Sequence, residues 1–373
     1  MALTNATAVP ARLASTPDDY ARIGVEPHAI KPWEDGMRTD GFPGTYEWWY
    51  FDAHLDDGAK LVVVFLTKEF TALNKPLSPT IRIDLTLPDG TSVRKIEGFA
   101  AETFSASTEI CEVRVDNNVF AGDLHTYTIH AQVEEIEVDV TLTGQVRAWR
   151  PETGYWLFGE EGEHHFAWLP SVPQGRVEAT YRVGGTSRTV SGVGYHDHNW
   201  GNAPMLDLMH HWYWARGAAG PYSVIASYIT AEKRYGYDAL PVFMLARDGD
   251  LIADDGSKVT FEELGRYTDT ATGKPVGNVT RYTYTDGEER YVITFTRLSD
   301  LAMDKFIDEL NGLKKAVARL ARFDGAYLRF AGELRIEHYK GEELVESHFD
   351  DALWELMYFG KARPWDTATR RKA

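Results

Sequence analysis

The sequence predicts a mainly β protein, made of antiparallel β-barrels or sandwiches with few helices. Short runs of alternating apolar and polar residues, bounded by Gly, Pro and Asp, recur along most of the chain. Only one segment has clear helical periodicity. At 373 residues the chain is long for a single hydrophobic core. We therefore expect two β domains, 41–205 and 206–373, preceded by an N-terminal arm over 1–40.

The strands of the first half are predicted from their alternation and from the turns that end them. Residues 61–66 form a short apolar run, and residues 81–87 alternate up to the turn sequence Pro88-Asp89-Gly90. The pair Gly184-Gly185 is typical of a tight hairpin and follows the last run of this half. The remaining alternating runs of the first half are 127–133, 136–146 and 177–183.

The second half continues the pattern with one exception. Its candidate strands are 223–230, 242–246, 281–284, 291–296, 327–336 and 353–359. Residues 301–322 instead predict a helix, because apolar residues recur there at helical spacing, from Phe306 to Leu320. The opposite face of that helix would carry Lys314, Lys315 and Arg319. A solvated surface is the favoured interpretation of this basic face, and weak contact with a membrane surface is the alternative.

Composition argues against several classes of partner. The chain has 56 acidic and 39 basic residues, a formal charge of −17, which repels DNA, RNA and anionic lipids. An apolar small molecule is the expected partner. Cys111 is the only cysteine, so the sequence offers neither an intramolecular disulfide nor a cysteine-based zinc site. Because residues 1–10 lack a secretory signal and no apolar run reaches roughly 18 residues, we expect a cytoplasmic protein.

The most informative segment is 46–52, Tyr-Glu-Trp-Trp-Tyr-Phe-Asp, where five aromatic residues accompany two carboxyl groups. Unpaired carboxylates are costly inside a core, so this strand is predicted to line a ligand cavity. In a strand, alternate residues point to opposite sides, here Glu47, Trp49 and Phe51 to one and Trp48, Tyr50 and Asp52 to the other. The candidate ligand contacts from this segment are Glu47, Trp48, Trp49, Tyr50 and Asp52.

Three further segments, 163–170, 194–201 and 210–214, also mix aromatic and titratable side chains. Alternation within 194–201 places two sets on opposite faces, Tyr195, Asp197 and Asn199 against His196, His198 and Trp200. Each residue alone is more often part of a core, but four such segments together favour a site. The candidate ligand contacts from these segments are His196, His198, Asn199, Trp200, His211, Trp212 and Trp214.

Other chemistries have weaker support. The paired histidines, among them His164 and His210, offer nitrogen ligands, but no segment has the His-Glu-x-x-His pattern, so no metal is predicted. The sequence contains no Gly-x-Ser-x-Gly, no P-loop and no Gly-x-Gly-x-x-Gly fingerprint opening a helix. Hydrolase, kinase and dinucleotide-oxidoreductase functions therefore lose their main support, and no cofactor is expected.

Acid–base chemistry in an aromatic pocket remains. Burial raises the pKa of a carboxyl group in such a pocket and keeps it protonated near neutral pH. The protonated group can then protonate an activated alkene, and indole and phenol faces stabilise the resulting cation by roughly 2 kcal/mol or more. Asp197, with Tyr195 beside it, is the first candidate for the acid, and Asp52 and Glu47 come next.

Two motifs carry a family resemblance, Glu47-Trp48-Trp49-Tyr50-Phe51-Asp52 and Gly194-Tyr195-His196-Asp197-His198-Asn199-Trp200-Gly201. Together they resemble the carotenoid 1,2-hydratase (hydroxyneurosporene synthase) and AttH-like superfamily, with a similar layout over about residues 40–360. The resemblance implies two lipocalin-like β-barrel domains, with a ligand pocket in one of them or between them. It also implies either hydration of isoprenoid double bonds without a redox cofactor, or Diels–Alder cyclisation of a polyene, as in more distant relatives.

The resemblance also implies site residues. The hydratases use a Tyr-x-Asp pair, which Tyr195 and Asp197 match, and a preceding His-x-Trp pair. Trp168 matches the Trp of the second pair, but Phe166 stands in place of its His. His165, or His164, would substitute after a shift of one residue. The catalytic residues implied are Asp197, Tyr195, Trp168 and His165.

Three functions remain open from the sequence. The first is a cofactor-independent hydratase, in which Asp197 is the acid and Tyr195 positions water. The second is a pericyclase that holds a polyene in a reactive fold and polarises a carbonyl group. The third is a binding protein for lipids or isoprenoids, because lipocalin-like barrels bind apolar ligands without catalysis.

Overall fold

The computed structural model describes residues 9–69, 72–305 and 324–363. They form a mainly β protein, as predicted. Contacts within the chain define two compact units. The described residues of the first unit are 12–69, 72–157 and 161–204. Those of the second unit are 9–11, 158–160, 205–305 and 324–363. No helix among the described residues is long and apolar enough to cross a membrane.

The first sheet contains thirteen strands among the described residues. They are β1 (Ala11–Leu13), β2 (Tyr46–Leu55), β3 (Lys60–Leu66), β4 (Thr80–Thr86), β5 (Ser92–Gly98), β6 (Phe104–Ala106), β7 (Cys111–Val115), β8 (Asn118–Gly122), β9 (Thr126–Val133), β10 (Ile136–Gly144), β11 (Tyr155–Phe158), β12 (His164–Val183) and β13 (Thr186–Gly201). The main path runs β5-β4-β3-β2-β13-β12-β10-β9-β8-β7-β6, with β11 pairing β1 and β12.

The core of this first unit consists of the inward-pointing residues of strands in which buried and exposed residues alternate. In β9 and β10 every second residue is buried, including Tyr127, Ile129, Val138 and Leu142. These residues belong to one apolar cluster with the inward residues of the other strands, among them Trp49. Because burial follows the strand period of two, hydrophobic burial fixes which face of each strand points inward.

Residues 12–40, predicted as part of an arm, lie within this compact unit. Helix α1 (Pro17–Ile23) begins at Thr16, whose hydroxyl accepts from the backbone N–H of Asp19 in a capping box. A short 3-10 turn follows at Pro32–Asp35 and buries Glu34 and Asp35. Arg150 pairs with Glu34 at 2.7 Å, and both side chains are about 95% buried. The segment therefore packs as part of the β unit.

The second unit contains a nine-stranded sheet in the order β17-β16-β15-β14-β24-β23-β22-β21-β18 and a separate pair, β19-β20, counted over the described residues. Helix α2 (Met205–Leu208) precedes them. The strands are β14 (Met209–Ala219), β15 (Tyr222–Ala231), β16 (Ala239–Arg247), β17 (Asp250–Ala253), β18 (Val259–Leu264), β19 (Tyr267–Thr268), β20 (Pro275–Val276), β21 (Val279–Asp286), β22 (Glu289–Lys305), β23 (Ala326–Lys340) and β24 (Glu343–Tyr358).

The helix predicted over 301–322 is wrong at its start. Residues 301–305 continue strand β22, and Lys305 lies opposite Ala326 in the antiparallel ladder with β23. Pairing with a long neighbouring strand satisfies the backbone polar groups and overrides the local helical pattern. Residues 306–322, the rest of the predicted helix, lie outside the described residues.

Candidate functional site

Two sequence motifs meet in one antiparallel pair, β2 and β13. The register places Tyr195 opposite Asp52, Asp197 opposite Tyr50, and Asn199 opposite Trp48. On its other side β13 pairs with β12, where Trp168 lies opposite Asn199. Residues directly opposite in such a ladder point to the same face of the sheet. The register therefore brings the two motifs and Trp168 together.

The two faces of this strand pair differ in chemistry. The acid face, as we call it, carries Trp48, Tyr50, Asp52, Trp168, Tyr195, Asp197 and Asn199. The opposite side, the histidine face, carries Glu47, Trp49, His196 and His198. Close packing of the strands depends on Gly194, where a Cβ atom would lie 2.5 Å from Val177 and 2.8 Å from the carbonyl oxygen of Asp52. A larger residue at 194 would force β13 away from β2 and β12.

Asp197 is the centre of the acid face. Its Oδ2 accepts hydrogen bonds from the Tyr195 hydroxyl at 2.7 Å and from Trp168 Nε1 at 2.7 Å. Its Oδ1 accepts from Asn199 Nδ2 at 2.7 Å. The carboxyl group is 7% exposed, and none of these three partners carries a positive charge. Asp197 is thus a buried acid held by neutral donors.

This environment changes the acidity of the group. Burial raises the pKa of Asp197 from its ordinary value of 3.8 to about 6. The hydrogen bonds from Tyr195, Trp168 and Asn199 and the charge of His196 oppose this shift. A carboxyl group with a pKa near 6 exchanges protons readily close to neutral pH. Burial, and then the nearby Asp197, raise the pKa of Tyr195 well above its ordinary value of 10, so its phenol stays protonated.

Aromatic rings surround this acid. Trp168 lies 6.2 Å from Trp156 in a stacked arrangement and 6.2 Å from Trp149 edge-on, measured between ring centroids. Phe166, on the same side of β12 as Trp168, lies 6.2 Å from Trp48. All five rings are less than 9% exposed. Such rings offer an apolar surface and electron-rich faces next to a proton donor.

A second tyrosine and carboxyl pair lies beside Asp197. The Tyr50 hydroxyl donates to Asp52 Oδ2 at 3.1 Å. The rings of Tyr50 and Tyr195 are 6.3 Å apart at an interplanar angle of 62°. Asp52 is 3% exposed, whereas Tyr50 is half-buried. The acid face therefore contains two carboxyl groups and two phenols within one cluster.

The histidine face holds a different network, centred on Asp35 from the 3-10 turn. Asp35 Oδ2 lies 3.2 Å from His196 Nε2 and accepts from the Tyr127 hydroxyl. Its Oδ1 lies 3.4 Å from His198 Nδ1, within ion-pair range but outside hydrogen-bond geometry. His198 Nε2 lies 2.7 Å from Glu47 Oε1. Two carboxyl groups and two imidazoles thus alternate in a fully buried cluster.

Hydrogen bonds assign protons within this network. His196 Nδ1 lies 2.8 Å from the carbonyl oxygen of Tyr50, an acceptor only, so Nδ1 carries a proton. Its Nε2 then needs a second proton to bind Asp35. Although burial acts to raise the pKa of Asp35, the charges and hydrogen bonds of His196 and the charge of His198 outweigh it and lower that pKa. Asp35 is accordingly a fixed anion paired with imidazolium.

Glu47 ties this network to the preceding loop. Its Oε1 accepts from the backbone N–H of Arg38 at 2.6 Å, and its Oε2 accepts from the backbone N–H and hydroxyl of Thr39 at 2.8 and 2.6 Å. Trp49 stacks on His198 with centroids 4.6 Å apart, and its Nε1 donates to the Asp35 carbonyl oxygen at 3.1 Å. Glu47, Trp49, His196 and His198, predicted to contact ligand, therefore hold the structure together behind the acid face.

Metal-ligand atoms occur in two clusters among the described residues. Asp35, Cys111 and His196 place one ligand atom each within 4.8 Å of one another, and so do His130, Glu137 and Asp139. The first cluster offers carboxylate, thiol and imidazole groups, a combination that zinc accepts. Its Asp35 oxygen and His196 nitrogen already bind each other, however, and burial raises the pKa of Cys111 well above its ordinary value. The absence of a metal stays a prediction.

His165 does not join Asp197. In β12 it alternates with Phe166 and Trp168 and so points to the opposite face, where its ring lies 5.4 Å from that of Tyr155. Burial lowers the pKa of His165 to about 4, so it is neutral near pH 7. The shift of one residue implied by the family resemblance is therefore wrong, because the strand period sends adjacent residues to opposite sides. Phe166 stands on the acid face instead.

Four other predicted contacts lie elsewhere. Trp200 Nε1 donates to the Tyr155 hydroxyl at 3.0 Å, and its ring packs against His198, so it belongs to the side behind the acid face. His211, Trp212 and Trp214 are in the second unit. There His211 stacks on Tyr358 with centroids 5.0 Å apart, and Trp212 Nε1 donates to Glu355 at 3.2 Å. His211 and Trp212 thus have packing and hydrogen-bonding contacts within that unit, and Trp214 lies on the same strand, β14.

Sequence reasoning missed Asp35 and Tyr127. Asp35 lies in a segment predicted as an arm, and Tyr127 begins a strand with ordinary alternation, so neither carried a local signal. A possible signal was the run Trp33-Glu34-Asp35, which repeats the mixture of aromatic and acidic residues seen at 46–52. Only the fold brings this run beneath His196 and His198.

Comparison with curated proteins gives matches to parts of several enzymes. The chain is 30% identical over 199 residues to a quinolone epoxide rearrangement protein of Emericella nidulans, covering 48% of this chain and 53% of that protein. It is 24% identical over 212 residues to a hydroxyneurosporene dehydrogenase of Chlorobaculum tepidum, covering 47% and 54%. It is also 24% identical over 209 residues to a Diels-Alderase of an Acremonium species, covering 50% and 51%. The chain thus spans about half the length of these relatives.

Solved structures match over nearly the whole chain. CghA has a TM-score of 0.60 at 15% identity, covering 96% of this chain and 99% of that one. An AttH-type protein of Nitrosomonas europaea has a TM-score of 0.59 at 16% identity, covering 89% and 97%. Kievitone hydratase of Nectria haematococca has a TM-score of 0.53 at 12% identity, covering 94% and 97%. At these identities the likeness shows the fold alone, and it confirms the predicted lipocalin-like β architecture.

A family model described as Diels-Alderase-like matches residues 42–306, which include both motifs and the strands that carry the acid face. The AttH-like structural neighbour and the carotenoid-related relative agree with the superfamily predicted from the motifs at 47–52 and 194–201. Since the match covers well over half of the 373 residues, the chain belongs to the Diels-Alderase-like family.

Proposed function

We propose that the protein is a cofactor-independent hydratase that protonates a C=C bond of an apolar, isoprenoid- or polyene-like substrate, with Asp197 as the general acid. The observation that carries the proposal is the environment of Asp197, a buried carboxyl group held by three neutral donors. Its pKa of about 6 allows the group to donate a proton near neutral pH.

The hydrogen bonds also indicate which oxygen delivers the proton. Tyr195 and Trp168 both donate to Oδ2, which uses the two lone pairs of that atom. Asn199 occupies only one lone pair of Oδ1, so the proton of the neutral acid belongs on Oδ1. After proton transfer the three donors stabilise the new carboxylate. The same three hydrogen bonds hold Asp197 in place before and after it gives up its proton.

The neighbouring rings and the relatives support the substrate class. Trp48, Trp149, Trp156, Phe166 and Trp168 provide an aromatic surface for a cation formed on a hydrocarbon chain. Among the matched proteins are kievitone hydratase, a hydroxyneurosporene enzyme and a quinolone epoxide rearrangement protein. Opening an epoxide, like hydrating an alkene, begins with proton transfer or strong hydrogen bonding to the substrate.

A pericyclase is the second candidate, and the family model together with the Acremonium Diels-Alderase favours it. In that case the protein would hold a polyene between aromatic rings, and the protonated Asp197 would donate a hydrogen bond to a carbonyl group of the substrate. No proton would leave the enzyme during the reaction. The two candidates therefore differ in whether solvent atoms enter the product.

The test is conversion of defined probes in H₂¹⁸O, followed by mass spectrometry. The probes are neurosporene, kievitone, a quinolone epoxide and a linear polyene with an electron-poor alkene. We expect one of the alkenes to gain one ¹⁸O atom. Asp197→Asn should lower the rate by about 10²- to 10⁴-fold, the usual contribution of a general acid. Asp56→Asn, in the exposed turn after β2, is the matched control and should keep full activity.

Three other results would contradict the proposal. Full turnover by Asp197→Asn would show that this carboxyl group is not the acid. Conversion to an isomer of the substrate without ¹⁸O would favour the pericyclase. Tight binding of a probe without conversion during long incubation would favour a binding protein for apolar molecules.

A further inference from the structure

The acid face contains the same short sequence pattern twice. Tyr50-Phe51-Asp52 lies on β2 and Tyr195-His196-Asp197 lies on β13, and the strands are antiparallel. The register places each tyrosine directly opposite the aspartate of the other strand, Tyr195 to Asp52 and Tyr50 to Asp197. The four side chains therefore occupy the corners of a square, with acids on one diagonal and phenols on the other.

Hydrogen bonds follow the same symmetry. Each phenol donates to the aspartate two residues further along its own strand, at 2.7 Å for Tyr195 and 3.1 Å for Tyr50. Diagonal neighbours on a pleated face are about 7–8 Å apart. This backbone spacing and the shared register put the two carboxyl groups on one face, where an acid and a base can act on the same bound molecule.

The surroundings of the two acids are nevertheless different. Asp197 accepts hydrogen bonds from Trp168 and Asn199 as well as from Tyr195, and it lies among buried rings. Asp52 is equally buried, but the ring of Tyr50, which donates to it, is half-buried. In many enzymes, two carboxyl groups in different environments have different pKa values, so that one acts as the acid and the other as the base.

We propose that Asp52, held by Tyr50, is the general base that accepts a proton from the incoming hydroxyl nucleophile while Asp197 protonates the alkene. This inference rests on the proposed function and extends it. Asp197 Oδ1–H breaks and a C–H bond forms; the oxygen of water bonds to the cationic carbon and loses its proton to the Asp52 carboxylate. Asp52 then releases that proton to solvent and Asp197 takes one up. No electron is transferred.

The proposed proton transfers also indicate which substrates the site could accept. The nucleophile needs only an O–H group, so a hydroxyl of the substrate itself can replace water. An apolar alkene that carries its own hydroxyl would then cyclise to an ether with the same two proton transfers. Substrates without such a hydroxyl would be hydrated.

The first test uses whichever probe alkene the protein hydrates. Asp52→Ala should lower kcat by about 100-fold or more. Added sodium formate should raise the kcat of this variant by at least about tenfold, because formate replaces the missing base. Tyr50→Phe should retain more activity than Asp52→Ala. Asp56→Ala is the control and should show neither loss nor rescue.

The second test needs no substrate. The ¹³C carboxyl resonance of Asp197 is titrated by NMR in the wild type, Asp52→Asn and Asp56→Asn. A neighbouring anion disfavours ionisation, so removing Asp52 should lower the titration midpoint of Asp197 by several tenths of a pH unit or more. Asp56→Asn should leave the midpoint unchanged.

The outcomes separate the two proposals. If Asp197→Asn abolishes hydration but Asp52→Ala stays active or is not rescued by formate, the base assignment is overturned and the acid assignment stands. An Asp197 midpoint unmoved in Asp52→Asn also overturns the base assignment, whether or not a probe reacts. If Asp197→Asn remains active while Asp52→Ala fails and is rescued, the proposed acid is wrong instead.

Discussion

The acid face and the histidine face are formed by alternate residues of the same two strands, yet they shift the pKa of a buried carboxyl group in opposite directions. On the acid face, Asp197 accepts hydrogen bonds from neutral donors, and burial raises its pKa to about 6 despite these bonds and the nearby charge of His196. On the histidine face, Asp35 has two imidazole partners, and they lower its pKa despite burial. Burial alone therefore does not decide whether an acid can exchange a proton. The charge of its partners decides.

This comparison assigns different work to the two faces. A carboxylate that two buried histidines hold as an anion stabilises the fold but cannot donate a proton at neutral pH. An acid among neutral donors is less favourable for stability but is suited to proton transfer. The His196-Asp197-His198 sequence thus places the proposed general acid between two histidines of the buried network. Four changes would break or sharpen this distinction.

The largest expected effect comes from Glu47→Gln on the histidine face. The change leaves His198 without its anionic partner at 2.7 Å and weakens the acceptor for the N–H groups of Arg38 and Thr39. Breaking a fully buried pair costs about 3–5 kcal/mol, so the free energy of unfolding should fall by that amount. Urea denaturation measures it.

Glu112→Gln is the control for this change. Glu112 pairs with Arg114 at 3.0 Å, but both side chains are about half exposed, so loss of the pair should cost no more than about 1 kcal/mol. Equal losses in Glu47→Gln and Glu112→Gln would show that the buried network does not stabilise the fold.

The next effect is the pH dependence of stability caused by Asp197. Its folded pKa, about 6, is above the ordinary 3.8, so its contribution to stability is fully present below about pH 4 and is lost as pH rises through 6. A difference of about two pKa units corresponds to about 3 kcal/mol. The free energy of unfolding of the wild type minus that of Asp197→Asn should fall by roughly this amount between pH 4 and pH 7.5.

Asp35 should give the opposite slope. Its pKa is lowered in the folded protein, so its contribution is present above about pH 4 and is lost as pH falls below that value. The difference in unfolding free energy between the wild type and Asp35→Asn should therefore shrink on acidification. Parallel slopes for Asp35 and Asp197 would contradict the distinction between the two faces. Unfolding curves at several pH values decide the matter.

The smallest expected effect is a shift in the acidity of Asp197 itself. Trp168→Phe keeps the ring but removes the Nε1 donor that stabilises the carboxylate at 2.7 Å. The pKa of Asp197 should rise by about one unit, because a hydrogen bond to a charged group contributes about 1.5 kcal/mol or more. Titration of the carboxyl resonance by NMR measures the change. In Trp149→Phe, whose ring packs edge-on against Trp168, the midpoint should stay within about 0.3 unit of the wild type.

Sequence periodicity predicted more of the site than of its surroundings. Alternation assigned Tyr195, Asp197 and Asn199 to one face and His196 and His198 to the other, and the structure has that arrangement. It did not show that the two histidines face a carboxyl group from a distant turn. Nor did it show that β22 extends to Lys305, because a long strand partner replaces the helical pattern that the local sequence contains.

The family resemblance and the strand period gave conflicting answers for one residue. The resemblance implied that His165 substitutes for the missing histidine of the His-x-Trp pair, yet a shift of one residue in a strand reverses the direction of the side chain. Phe166 takes the place on the acid face and packs near Trp48. Counting the period from Trp168 would have excluded His165 from the sequence alone.

By itself, the amino-acid sequence determined the mainly β fold, the pairing of aromatic and acidic residues in two motifs, and the division of each motif between two faces. These follow from local rules, since side chains alternate along every strand. The tertiary structure alone decided that Tyr50 and Asp52 lie opposite Asp197 and Tyr195, and that Asp35 lies between the histidines. Register and long-range packing depend on the whole chain, and they set the partners of each carboxyl group and therefore its acidity.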